Sequence, residues 1–67
     1  MKSLTKKEAI EAMRRGEKVS HPYFGDDEYI TIEGGRILTD DGYPISIHEF
    51  FQYRIGEGWE KNWYIKQ

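Results

Sequence analysis

Apolar residues in the first part of the chain recur at the spacing of one helix face. Thr5 and Glu8 have the spacing of a capping box, in which each side chain accepts a hydrogen bond from the other residue's backbone amide. Gly16 readily adopts the left-handed conformation that ends many helices. The pattern therefore predicts a helix over residues 6–15. Its apolar face consists of Ala9, Ile10 and Met13.

A change to alternating, β-branched residues in the middle of the chain predicts a β-hairpin. Residues 29–33 and 36–39 are two such runs, and the two glycines between them favour a primed turn. Glu33 and Arg36 then lie opposite each other and can form a pair. Three isoleucines share the face that we expect to meet the core. They are Ile30, Ile32 and Ile37.

Shorter elements are predicted on either side of the hairpin. Residues 17–20 are extended, and Pro22 ends this segment because the residue before proline is driven out of the helical region. Ser46 begins a second capping-box pattern ahead of several aromatic residues, which predicts a helix over residues 47–54. Residues 58–65 alternate and predict a final strand, with one side formed by Trp59, Trp63 and Ile65. Together the elements predict an α+β fold, with two helices packed on an antiparallel sheet of about three or four strands.

The size and composition predict one small domain, residues 1–67, near the lower limit for a chain that folds around its own core. There is no cysteine, so neither a disulfide nor a thiolate metal site can stabilise it. Five tyrosines, three phenylalanines and two tryptophans must supply much of the core, because each ring can bury roughly 150–250 Å². A homo-oligomer remains open, since self-association also stabilises small domains.

Charge is distributed unevenly along the chain. Residues 21–60 contain nine carboxylates and two cations, which gives −7, whereas residues 1–20 contribute +3 and the C-terminal residues +2, for a total of −2. Such asymmetry bears on partners and encounter rates rather than on the fold.

Few residues suggest catalysis or a cofactor. Ser20 and His21 are adjacent, but a nucleophile and its base must meet in space and be oriented by a third group. His21 and His48, both expected at the surface or half-buried, could join the acidic run 26–28 as metal ligands, but they lack a short spacing motif. Neither that run nor residues 39–42 have the spacing of a calcium loop. We therefore expect no enzyme activity, no metal and no cofactor.

Two classes of partner are disfavoured. The cations of the first helix are interspersed with glutamates and the chain is acidic overall, whereas nucleic-acid-binding domains are normally basic. No apolar run approaches the roughly 20 residues that span a bilayer, and the N-terminus lacks the apolar region of a signal peptide. We therefore expect a soluble cytoplasmic protein that binds neither a membrane nor nucleic acid directly.

The order of elements resembles that of known small viral proteins. A Leu-Thr-Lys-Lys-Glu helix start at residues 4–8, Gly-Glu-Lys-Val at 16–19, an aromatic loop, a Tyr-Ile strand, an Asp-Asp-Gly turn and a terminal Gly-Trp-Glu resemble early or accessory proteins of tailed bacteriophages. The opening is also similar to the second-type Thoeris anti-defence family, which sequesters a cyclic nucleotide signal. That family has a basic residue and a tryptophan where Ser20-His21-Pro22-Tyr23-Phe24 stand here, so no binding residue is carried over. The resemblance implies a phage protein acting in the host cytoplasm.

The leading hypothesis is a non-enzymatic module that binds and modulates or inhibits a host protein, with a basic surface on that protein as one option. The aromatic residues near the C-terminus are too many to all point inward, and we weigh core and interface roles for them equally. Carboxylates beside exposed rings would favour a cationic partner. The candidate partner-binding residues are Asp26, Asp27, Glu28, Asp40, Tyr53, Glu57, Trp59 and Glu60.

Two alternatives stay open. In the first, an oligomer sequesters a nucleotide signal, with Arg14 or Arg15 meeting phosphate and rings stacking on the base. The rings for that role are Tyr23, Phe24, Trp59 and Trp63. In the second, the carboxylates imitate the phosphates of DNA and inhibit a host nucleic-acid enzyme. The carboxylates for that role are Asp26, Asp27, Glu28, Asp40, Asp41, Glu57 and Glu60.

Overall fold

Helices pack on a five-stranded antiparallel sheet in the computed structural model, which describes residues 3–66. The strands are β1 (Val19–Ser20), β2 (Ile30–Glu33), β3 (Arg36–Thr39), β4 (Pro44–Ile45) and β5 (Tyr64–Ile65). The helices are α1 (Lys6–Arg14), α2 (Ile47–Gln52) and α3 (Glu57–Glu60). The spatial order of the strands is β4-β3-β2-β1-β5. The α+β prediction is confirmed, with one strand more than the three or four expected.

The first helix begins at the predicted capping box. Thr5 Oγ1 accepts from the Glu8 amide at 3.1 Å, and Glu8 Oε1 accepts from the Thr5 amide at 2.9 Å. Gly16 has a φ of +89° directly after the C-cap residue Arg15. Ala9, Ala12 and Met13 are the buried residues of α1, while Ile10 is half-buried at the edge of the core.

The hairpin forms in the predicted register. Glu33 lies opposite Arg36 and Ile32 opposite Ile37, and both loop glycines have positive φ, as a type I′ turn requires. The predicted face is also confirmed, because Ile30 and Ile37 are buried and Ile32 packs against the core. Within residues 3–66, however, Glu33 and Arg36 form no ion pair.

The C-terminal third differs from the prediction. Residues 57–60 form the helical turn α3 rather than the start of a strand, and extended pairing begins only at Trp63, which bridges to Leu4. The change of direction occurs at Asn62, whose φ is +73°. The Trp63 indole donates to the Trp59 carbonyl at 2.8 Å, which satisfies an acceptor at the end of α3. The strand predicted over 58–65 is therefore wrong except for its last residues.

The second helix is shorter than predicted and ends at Gln52 instead of residue 54. Its cap is only half of a capping box. Ser46 Oγ accepts from the Glu49 amide at 3.0 Å, but the Glu49 carboxylate receives a bond from the Ser46 hydroxyl instead of the Ser46 amide.

The core lies where α1 covers β1 and β2 and where α2 covers β3. No helix within residues 3–66 is both long and apolar enough to cross a membrane. The buried apolar residues are Ala9, Ala12, Met13, Val19, Ile30, Ile37, Phe50, Phe51 and Trp63.

Candidate interaction surface

His21 is almost completely buried, with 1% of its surface exposed, which corrects the expectation of a surface or half-buried residue. Its Nε2 atom lies 2.8 Å from the Gly58 carbonyl and 2.9 Å from the Lys61 carbonyl. Its Nδ1 atom accepts from the Tyr23 amide at 3.1 Å. Because Nδ1 accepts, the proton belongs on Nε2, where it is shared between the two carbonyls. The imidazole thus ties both ends of the α3 segment to the end of β1.

Four aromatic rings surround this imidazole. The rings of Tyr23, Trp59 and Trp63 lie 4.6–4.8 Å from it between centroids, and Phe24 lies at 6.3 Å. These are the four rings that the sequence offered for stacking on a nucleotide base. They pack on His21 and on one another.

The two adjacent polar residues Ser20 and His21 do not bond to each other. Ser20 Oγ donates to the Glu28 carbonyl at 2.8 Å, and the imidazole is engaged by backbone groups as described above. In the described part of the chain no three His, Asp or Glu side chains are close enough to share a metal ion. His21 and Ser20 therefore have structural partners.

Most of the C-terminal aromatic residues turn inward. Phe50, Phe51 and Trp63 are buried and Trp59 is half-buried. For these rings the structure therefore favours a core role over an interface role, which the sequence had left equally open. The large apolar side chains that remain exposed are Tyr23 at 65%, Tyr43 at 66%, Tyr53 at 82% and Ile55 at 71%.

Glu28 and Asp40 are the predicted contact residues that the structure brings together. They line one cavity of about 260 Å³, which we call the Asp40 cavity. Its apolar and aromatic lining is Phe24, Tyr29, Ile30, Tyr43 and Phe50. Its charged lining is Glu28, Asp40, Asp41 and Arg54.

The other predicted contact residues lie elsewhere. Asp26 and Asp27 are exposed in the loop before β2, where the Asp26 carbonyl accepts from the Lys66 ammonium. Glu57 and Glu60 are exposed on α3, and Glu60 pairs with Lys6 at 3.7 Å. The eight residues therefore do not form one patch. Tyr53 is 82% exposed, whereas Trp59 packs within the ring cluster around His21.

The cation in the Asp40 cavity does not neutralise its carboxylates. Arg54 Nη1 donates to the Phe50 carbonyl at 2.9 Å, and its guanidinium lies 4.1 Å from the centroid of the Phe50 ring. Among residues 3–66, the side chains of Asp40 and Asp41 have neither a hydrogen-bond nor an ion-pair partner. Two uncompensated carboxylates thus lie next to an aromatic wall.

Sequence reasoning missed the residues that complete this cavity, namely Tyr29, Tyr43 and Arg54. One of them could have been found from the hairpin register. The ladder that pairs Ile30 with Thr39, extended by one residue, brings Tyr29 beside Asp40, and the Asp40 amide donates to the Tyr29 carbonyl at 3.1 Å. Arg54 could not be found from the hairpin register, because α2 brings it to the sheet from a distant part of the chain.

A second, larger depression of about 480 Å³ lies along α1 and is lined by side chains of both signs. Lys6 is engaged there, because its ammonium pairs with Glu60 and lies 4.9 Å from the Phe51 ring centroid. Arg14 lines this depression and another one beside the hairpin loop, and neither contains a ring of the His21 cluster. Neither of these two depressions thus combines Arg14 with a ring suggested for a nucleotide.

No family model, no curated protein and no solved structure matches this chain.

Proposed function

We propose that this protein is a non-enzymatic interaction module that binds a partner protein through a basic surface on that partner. The observation that carries the proposal is that few carboxylates of residues 21–60 have an ion-pair partner in the described part of the chain. Of the nine carboxylates within residues 21–60, Glu60 is the one that forms an ion pair in the described part of the chain. Glu28 and Glu49 bond to local polar groups. The negative charge of this stretch is therefore largely available to a partner.

Exposed aromatic side chains support the same proposal. Tyr43 and Tyr53 are mostly exposed, and Tyr43 borders the Asp40 cavity. Tyrosine contributes strongly to protein interfaces because its rigid ring buries a large area at a small entropic cost. Tyrosines and unpaired carboxylates together suit a partner that presents arginine or lysine among apolar residues.

The resemblance to early proteins of tailed phages supports a proposal about the kind of partner and the site of action. It makes the partner a host protein and the site of action the host cytoplasm. The nucleotide-sequestering alternative has less support, because three of its four rings, those of Phe24, Trp59 and Trp63, are buried or half-buried in the cluster around His21.

Capture from a bacterial lysate tests this function. The full chain is immobilised, and proteins retained at ~0.1 M salt are quantified by mass spectrometry. We expect one protein retained in near-stoichiometric amount, and its retention should persist for a Glu33→Gln control. Native mass spectrometry of the purified chain accompanies the capture. A bound small molecule with no protein partner would overturn the proposal in favour of ligand sequestration.

A further inference from the structure

The Asp40 cavity has the chemistry of a receptor for a single basic side chain. We propose that it binds an arginine side chain of the partner protein, an inference that rests on the proposed interaction function and specifies the group recognised. The cavity lies between the loop that precedes β2 and the turn that joins β3 to β4. A backbone hydrogen bond from the Asp40 amide to the Tyr29 carbonyl joins these two segments.

The size of the cavity favours one side chain. Its volume is about 260 Å³, which is below the roughly 300 Å³ at which pockets for drug-sized molecules begin. An arginine side chain is long and narrow, with an apolar stem and a planar head, and fits a short cavity with apolar walls.

The aromatic walls suit a planar cation. Phe24 and Phe50 meet edge to face, with ring centroids 6.3 Å apart and an interplanar angle of 88°. Phe50 already carries the guanidinium of Arg54 over its face, at 4.1 Å from the centroid. Guanidinium stacking is therefore a contact that this part of the protein makes within itself. Tyr43 is 66% exposed and offers a similar contact to an incoming group, whereas the half-buried Tyr29 ring already has the Lys18 ammonium 4.8 Å from its centroid.

The carboxylates complete the match. The side chains of Asp40 and Asp41 have no partners in residues 3–66, and Glu28 uses one carboxylate oxygen to accept from the Gly25 amide. A guanidinium can bind a carboxylate through two parallel hydrogen bonds, whereas an ammonium acts as a point charge. Charge complementarity together with the flat walls thus selects arginine over lysine.

Arg54 limits the affinity of the cavity. Its guanidinium bonds to the Phe50 carbonyl rather than to the carboxylates, so the carboxylates stay available while one positive charge remains nearby. Removing that charge while keeping a donor at the same position should strengthen binding of a cation. Neutralising Asp40 should do the opposite.

A nuclear magnetic resonance titration tests the inference without the partner. The ¹⁵N-labelled full chain is titrated with N-acetyl-arginine amide, and N-acetyl-citrulline amide serves as the uncharged isostere. We expect saturable shifts with a dissociation constant of ~millimolar magnitude, centred on the amides of Tyr29, Asp40 and Tyr43. Citrulline amide should cause none. Shifts that do not saturate, or that are equal for both probes, would overturn the proposal, and a stronger response to N-acetyl-lysine amide would assign the cavity to lysine.

Matched variants sharpen the test. Asp40→Asn should weaken binding of the arginine probe about fivefold, because one nearby charge is lost. Arg54→Gln should strengthen it by a similar factor. Glu33→Gln removes the same charge at the opposite end of the hairpin and should leave it unchanged. If Glu33→Gln weakens binding as much as Asp40→Asn, the cavity is not the receptor.

The outcome separates the two proposals. A captured partner together with a silent titration would leave the interaction function standing and remove the arginine site. A saturable titration without any captured partner would show that the cavity binds a guanidinium, but it would remove the interaction function and with it the assignment of that arginine to a partner protein.

Discussion

At the scale of single residues, the buried imidazole of His21 joins segments that are far apart in the sequence. Its partners Gly58 and Lys61 are 37 and 40 residues away along the chain. Nothing local to the His-Pro pair reveals this contact, because it depends on where α3 returns to the sheet. The sequence therefore indicated a turn at Pro22 but could not indicate burial of the residue before it.

His21→Ala should lower the free energy of unfolding by about 2–4 kcal/mol. The change leaves a cavity among four rings and removes the donor shared by two backbone carbonyls. His48 is exposed on α2, so His48→Ala should stay within about 0.5 kcal/mol of the wild type. Urea unfolding followed by tryptophan fluorescence measures both. Equal, small effects for the two variants would show that the imidazole does not anchor α3.

Gly58 is close to the Tyr23 ring. A Cβ at this position would overlap the Tyr23 hydroxyl and lie 3.0 Å from its Cε2 atom. Gly58→Ala should therefore displace the Tyr23 ring from His21 and cost about 1 kcal/mol, as for loss of one aromatic pair. In a Tyr23→Ala background the same substitution should cost less. A double-mutant cycle by chemical denaturation checks this, and strict additivity would contradict the contact.

At the scale of elements, local chemistry predicted α1 and the hairpin well. The Thr5 cap and the glycine pair act within a few residues, and their effect does not depend on the rest of the fold. The strand predicted over residues 58–65 was wrong because a period-2 pattern in tryptophans cannot distinguish a strand from a short turn closed by tertiary contacts. The tertiary contacts are the bonds from His21 Nε2 to the Gly58 and Lys61 carbonyls, while the left-handed Asn62 changes the direction of the chain locally.

The hairpin loop allows a direct test of its turn type. Gly34 has a φ of +63°, and a Cβ placed on it would have no atom within 4 Å, so only backbone strain opposes a side chain there. Gly34→Val should lower the free energy of unfolding by about 1–2 kcal/mol. Gly34→Asn should be tolerated, because asparagine accepts the left-handed region. Thermal or urea midpoints of the two variants measure the difference, and similar midpoints would argue against a type I′ turn.

At the scale of the whole molecule, the structure divides the carboxylates into those that serve the fold and those whose side chains have no partner in the described chain. Part of the acid has structural roles, as at Glu8, Glu28 and Glu49. Asp40 and Asp41 have none in the described chain, yet they border an aromatic cavity. The sequence predicted Asp40 and Glu28 as contact residues but could not show that they share a cavity, because that requires the loop before β2 to fold against the turn after β3.

Asp40→Asn combined with Asp41→Asn should separate stability from binding. Neither side chain has a partner to lose within residues 3–66, so the free energy of unfolding should change by no more than about 0.5 kcal/mol. Retention of the partner protein should nevertheless fall. Circular dichroism during urea unfolding measures the first quantity. A large loss of stability would show that these carboxylates serve the fold.

Attraction between unpaired carboxylates and a basic partner makes binding sensitive to salt, and that sensitivity is the most direct test of the proposed function. The dissociation constant of the captured complex is measured by titration calorimetry between ~0.05 and ~0.3 M salt for the wild type, for Asp40→Asn/Asp41→Asn and for Glu33→Gln. We expect affinity that falls steeply with salt for the wild type and for Glu33→Gln, and a weaker, flatter dependence for the Asp40/Asp41 variant. Salt-independent binding shared by all three chains would show that these carboxylates do not attract the partner.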